Sequence, residues 1–271
     1  LGRSLEHNIS RVQNLKELMG EGKVPVISEF GIYKHNTKLV RSIGHAVYIA
    51  NEMIDYIGLG TPYLNKHCLV DYPYESDDLG NGSQCVIQAI RKEDGSYGFV
   101  STPSAKAFSV FNHMTGTEQI GQTLIGNETY YTFEQNGSYD VPVVKAMSTK
   151  DSDGTVYITA VNNPKEEETL LEISVNDRDL SGLEIEVWHL GSEQADDENT
   201  IENPDFVDVE KSVVTGSGKV LSYTLAPHSI TSFKIPAENP AEKIVITTKA
   251  EAGGTAYGDI EAEPGSEVTI Q

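Results

Sequence analysis

Residues Val24–Gly31 read Val-Pro-Val-Ile-Ser-Glu-Phe-Gly, a short apolar run that ends in one carboxylate. A run of this length without polar alternation suits a strand of a parallel sheet, covered on both faces. In (β/α)-barrels the reacting groups sit at the carboxyl ends of such strands. Glu29 is therefore the candidate catalytic carboxylate. Hydrolysis of a glycosidic bond needs two carboxyl groups, an acid for the leaving oxygen and a nucleophile or base, roughly 5–5.5 Å apart in retaining enzymes. A second one is harder to find. Glu52 falls inside a helical pattern, where a solvated or ion-paired side chain is expected, and Gly126-Asn-Glu128 follows the last helical stretch. Asp71, just past a short strand pattern at Tyr63–Val70, is better placed to touch a substrate. Tyr33 offers a ring on which an apolar sugar face can stack.

Other chemistries find less support. The seven histidines show no HxxH or HExxH spacing and the two cysteines no CxxC pair, so no metal site is expected. Each histidine reads as a capping, surface or core residue. Ser28 lacks the Gly-x-Ser-x-Gly elbow, and no glycine-rich phosphate loop follows a strand. No cofactor is implied. Lys plus Arg is 20 against 41 Asp plus Glu, a net charge of −21. That balance repels phosphate backbones and anionic lipid, which argues against nucleic acid and membrane partners and leaves a neutral ligand such as a sugar. No apolar stretch reaches the roughly 18 residues of a membrane span. Cys68 and Cys85 read as buried thiols, with a disulfide between them left open.

The elements that must position Glu29 are α/β in character. Leu5, Ile9, Val12, Leu15 and Leu18 form a helical stripe, and a second helix is expected from Thr37 to Ile57. Asp71–Ser83 is acidic and reads as a surface excursion, and a third helix, Pro103–Met114, has Ser101 or Thr102 as its cap. From about Asp140 the period becomes that of strands: Val141–Ser148, Thr155–Val161, Thr169–Val175, Leu183–Leu190, Val207–Val214, Lys219–Leu225 and Ser229–Ile235. Such a series predicts an antiparallel sandwich. Gly191–Asp205 is too long for a hairpin, so it is expected to work or to pack on a neighbour. Past a linker at Ala237–Glu242, Lys243–Lys249 and Glu267–Ile270 suggest strands of a small further module. Leu1 is not an initiator methionine and a helical pattern begins at once, so the chain reads as a piece of something longer.

Four segments, in matching order, resemble the C-terminal half of glycoside hydrolase family 51 α-L-arabinofuranosidases. They are Val24–Gly31 with the following Gly44-His-Ala-Val-Tyr-Ile-Ala-Asn51; Ser101–Phe111; Asp196-Asp-Glu-Asn-Thr-Ile-Glu-Asn-Pro204, similar to an Ala-Asn-Thr-Phe-Glu-Asn-Pro stretch; and Leu225-Ala-Pro-His-Ser-Ile-Thr231, similar to a Leu-Pro-Pro-His-Ser strand. The resemblance implies the C-terminal part of a (β/α)8 barrel over residues 1–116, a jelly-roll-like antiparallel β-sandwich over 117–236, and a linker with a partial β module over 237–271. It implies a retaining, exo-acting hydrolase that frees arabinofuranosyl groups from arabinan or arabinoxylan. Glu29 stands at the family's nucleophile, Tyr33 where members often keep a Trp, and Gln84 is the candidate for a substrate-binding glutamine. The family's acid/base glutamate lies upstream of the nucleophile, beyond this chain, so the remainder of the barrel is an implied partner. Ser28-Glu29-Phe30-Gly31 departs from the family's usual Asp-Glu-Trp-Asn, and Asp71–Ser83 is an insertion. The tail past Pro236 resembles β-rich repeats of secreted or wall-associated bacterial proteins, which implies an extracellular or cell-surface setting. A second reading is a non-catalytic accessory module, in which the sandwich only binds glycan or supports the barrel; it expects Glu29 to be fully buried and ion-paired.

Overall fold

The computed structural model describes residues 2–31, 38–70, 85–134, 137–237, 244–246 and 260–262. Helix α1 (Gly2–Leu18) leads to strand β1 (Ile27–Phe30), and helix α2 (Ile43–Gly58) carries the chain to β2 (Leu64–Lys66). β1 and β2 pair in parallel, Ile27 with Leu64 and Phe30 with Lys66, so the expected βαβ unit is present. Full coverage of the first strand is not: Val24 and Val26, just before β1, are exposed.

A single helix from Thr37 to Ile57 does not form. Residues 32–37 lie outside the described set, Lys38–Arg41 makes one 3-10 turn, and Ser42 is extended at φ −95° before α2 begins. A contact from far along the chain overrides the apolar periodicity there. Ile43 and Gly44 donate their backbone N–H groups, at 2.9 Å each, to the carbonyls of Asp197 and Ala195. These are first-turn donors that have no partner inside a helix. Arg41 Nε adds an ion pair to Glu198 at 3.0 Å. The long loop expected to pack on a neighbour thus closes the start of α2.

Strands β3 (Ile87–Arg91) and β4 (Tyr97–Ser101) form an antiparallel hairpin, followed by α3 (Pro103–His113) with Pro103 in its first turn. Thr102 is the residue before α3, but its hydroxyl donates to the carbonyls of Cys85 and Val86 instead of capping the helix. Then come β5 (Glu118–Gln119), β6 (Thr129–Glu134), β7 (Gly137–Pro142), β8 (Val144–Lys150), β9 (Val156–Asn162), β10 (Thr169–Ile173), β11 (Glu184–Leu190), β12 (Val209–Thr215), β13 (Leu221–Leu225) and β14 (Ser229–Ile235). Six of them make one antiparallel sheet in the order β12-β11-β14-β9-β8-β5, while β10 pairs with β13 and β6 with β7. β15 (Ile244–Ile246) and β16 (Ile260–Ala262) pair beyond them, and Glu267–Ile270 lies outside the described residues.

Strands β8, β9, β11 and β14 of the six-stranded sheet are buried on both faces, and strand parity divides their side chains. Ile185, Val187, Phe233 and Ile235 pack with Leu171, Ile173, Leu221 and Leu225 of the β10–β13 layer. Trp188, Leu190, Met147, Val161 and Ile230 point the other way, into one core with Ile43, Val47, Ala50 and Ile54 of α2 and Val110 and Phe111 of α3. Helices, sheet and second sheet layer therefore form three layers. Gly44 is needed at the seam, since a Cβ there would stand 2.8 Å from the carbonyl oxygen of Ala195. Gly44→Ala should destabilise the chain by about 1–3 kcal/mol through overpacking. Denaturant midpoints of the two proteins check this.

Candidate functional site

Successive side chains of a strand point to opposite faces, and the last two of β1 show it. Phe30 is buried, its ring edge-on to Tyr56 at 6.0 Å and tilted against Phe108 at 6.4 Å. That anchors the carboxyl end of β1 in the helical core. Glu29 points away, its side chain 66% exposed. Gly31 follows at φ +133°, a conformation that glycine adopts without Cβ strain. The Phe-Gly pair after Glu29 thus sets the anchor and the exit of the strand.

Parallel pairing brings the carboxyl ends of β1 and β2 side by side. His67, the residue after β2, donates its backbone N–H to the Phe30 carbonyl at 3.2 Å. Its Nδ1 lies 3.6 Å from Glu29 Oε1. Lys66 Nζ donates to the His67 carbonyl. Residue spacing alone had marked His67 as an ordinary surface or core histidine; the missed signal is its place at the end of a strand paired in parallel with that of Glu29. Two clefts of about 360 and 370 Å³ lie elsewhere, the first lined by Ile54, Asp55, Gln119 and Lys145, and Glu29 lines neither. Among the described residues, no three His, Cys, Asp or Glu side chains converge as metal ligands would.

Tyr33, Asp71 and Gln84 fall outside the described residues. Glu128 is exposed, and the neighbouring Asn127 spends its amide on Val144, donating to its carbonyl at 2.8 Å and accepting its N–H at 3.1 Å. Gly126-Asn-Glu128 thus extends the edge of β8. Cys68 is half-buried and Cys85 buried, and the two are not joined by a disulfide.

Glu52 is not solvated and has no ion-pair partner among the described residues, contrary to the expectation from its helix. It is 1% exposed and accepts hydrogen bonds from Asn8 Nδ2 at 2.9 Å, Tyr48 OH at 3.0 Å and Tyr56 OH at 3.5 Å. Its Oε2 has no hydrogen-bond partner. Burial raises its pKa, against the lowering pull of the three donors and of Lys66. Burial, reinforced by Glu52, also raises both tyrosines. Two turns before Glu52, His45 is fully buried, and burial, then Lys66, brings it down to about 3, so it is neutral at ordinary pH. Its Nδ1 donates to the Val40 carbonyl at 2.7 Å. This polar seam ties α1 to α2.

A buried acid whose folded-state pKa is raised binds its proton more tightly when folded. Its contribution to stability is fully present below the unfolded value of 4.5 and is lost as pH rises through the folded value. The thermal midpoint should therefore carry a component that falls from about pH 4.5 upward. Glu52→Gln should flatten that component, as thermal unfolding of both proteins across pH would show.

Neither a protein-family model nor a curated protein sequence matches the chain. Solved structures do. The thermostable GH51 α-L-arabinofuranosidase from Thermotoga petrophila RKU-1 superposes with a TM-score of 0.68 at 20% identity, over 86% of this chain and 48% of its own. The α-L-arabinofuranosidase from Thermotoga maritima, solved as an arabinose complex, gives 0.65 at 19% identity over 86% and 47%. The GH51 arabinofuranosidase from Xanthomonas axonopodis pv. citri gives 0.56 at 19% over 78% and 41%. The chain spans about half the length of these enzymes, and over that span it has the fold of family 51 α-L-arabinofuranosidases.

Proposed function

We propose that this chain is the C-terminal portion of a retaining glycoside hydrolase that releases α-L-arabinofuranosyl groups from arabinan- or arabinoxylan-type polysaccharides. The observation that carries the reading is Glu29: an exposed carboxylate at the end of a parallel strand, in a chain with the fold of half an arabinofuranosidase. In this reading residues 1–116 complete a (β/α)8 barrel begun by preceding sequence, 117–236 form its sandwich, and 237–271 belong to a further β module. The exposed apolar side chains of Val24, Val26, Leu69 and Val70 around the β1–β2 pair are what such preceding strands would cover. The accessory reading asks for a buried, ion-paired Glu29, which its 66% exposure disfavours.

Hydrolysis then runs by double displacement. Glu29 attacks the anomeric carbon as the glycosidic bond breaks, and the leaving oxygen takes a proton from an acid in the preceding sequence. The same group, now a base, draws a proton from water, which attacks the anomeric carbon and frees Glu29. Tyr33 packs against the sugar, and Asp71 and Gln84 contact its hydroxyls. The setting is extracellular or cell-surface, in a bacterium. Lacking the acid, residues 1–271 alone should be slower by about 10²–10⁴ on substrates with poor leaving groups. The test assays this chain, and a form extended upstream of Leu1, on an aryl α-L-arabinofuranoside, each beside Glu29→Gln. Turnover by the extended form that Glu29→Gln abolishes is the expected result. Inactivity of both forms would move the assignment to glycan binding.

A further inference from the structure

We propose that His67 is a positioning residue for Glu29: its Nδ1–H holds Oε1 of the carboxylate and leaves Oε2 free to attack. The inference rests on the hydrolase reading of Glu29 given above. Three observations carry it. Nδ1 and Oε1 are 3.6 Å apart, just beyond hydrogen-bond range, and catalytic contacts of this kind shorten when substrate binds. The imidazole is also held at the site by its own backbone, because the His67 N–H bonds to the carbonyl of Phe30, the residue next to Glu29. Phe30 in turn is fixed in the core by Tyr56 and Phe108. Donor and carboxylate thus stand on two paired strand ends with one common anchor. Lys66, beside this pair, donates its Nζ to the His67 carbonyl.

The chemistry separates the two steps. When Glu29 attacks, a bond forms between Oε2 and the anomeric carbon, the glycosidic C–O bond breaks, and its electron pair leaves on the oxygen that receives the acid's proton. When water attacks the intermediate, the C–Oε2 bond breaks and its electron pair returns to Glu29 as carboxylate charge. An N–H on Oε1 gains strength as that charge grows, so it favours departure of Glu29 most. Loss of His67 should slow the second step more than the first and make the glycosyl-enzyme accumulate.

The experiment compares wild type, His67→Ala and His67→Asn in the upstream-extended protein on an aryl α-L-arabinofuranoside. Asn places an N–H close to where Nδ1 stood. His67→Ala should lower kcat about tenfold to hundredfold, the effect of losing one hydrogen bond to a charged group. KM should fall with it, a burst of aryl alcohol should precede the steady state, and His67→Asn should recover most of kcat. The thermal midpoint should not move, since His67 is 43% exposed. The inference is overturned if His67→Ala keeps kcat within about twofold, if it loses activity without a burst and with unchanged KM, if the loss merely follows a lowered midpoint, or if Asn restores nothing. An inactive wild type overturns the hydrolase reading itself, which separates the two failures.

Discussion

Burial of the inner strands of one antiparallel sheet on both faces is the constraint on which the rest of this structure depends. Phe233, Ile185 and Ile235 are fully buried toward the β10–β13 layer, and Ile230 and Leu190 are fully buried toward the helices. Each such side chain contributes about 1.5–3 kcal/mol relative to exposure. The division follows from the period of two along a strand. Because α2 and α3 lie on that sheet, the helical segment and the strands share one core, and the seam between them resembles an interior more than an interface between domains.

Support for Glu29 runs outward from that core. The sheet carries α2 and α3, whose Tyr56 and Phe108 grip Phe30. Phe30 fixes the end of β1, and strand alternation turns Glu29 outward. Two polar seams hold α2 in place. At its start the 195–198 loop accepts its first N–H groups and pairs with Arg41. On its inner side Glu52, which accepts from Tyr48 and Tyr56, also accepts from Asn8 of α1. The sandwich therefore acts on the site indirectly, by setting where α2 begins.

Much of this was legible in the sequence, for identifiable reasons. All seven predicted strands from β8 onward or overlapping it appear: two-faced burial gives dense apolar runs in β8, β9, β11 and β14, β10 and β13 alternate, and clear turn residues separate them all. The place of Glu29 at a strand end was legible from the Ser-Glu-Phe-Gly punctuation. What failed depended on distant partners. Periodicity could not show that Asp197 and Ala195 end the helical pattern at Ser42, nor that Asn8 and two tyrosines bury Glu52. The β3–β4 hairpin was missed although Asp94-Gly95 between two apolar runs is a hairpin signal, with Gly95 at φ +81°. Residue spacing does not place His67 beside Glu29, because strand pairing brings them together.

The central claim is that Glu29 becomes covalently attached to the sugar. The most direct test treats the upstream-extended protein with an activated arabinofuranoside whose 2-hydroxyl is replaced by fluorine, then locates the label by peptide mass spectrometry. A label on the peptide containing Ser28-Glu29-Phe30, at Glu29, is the result this account predicts. A label on any other carboxylate, or turnover with inversion at the anomeric carbon, would contradict it.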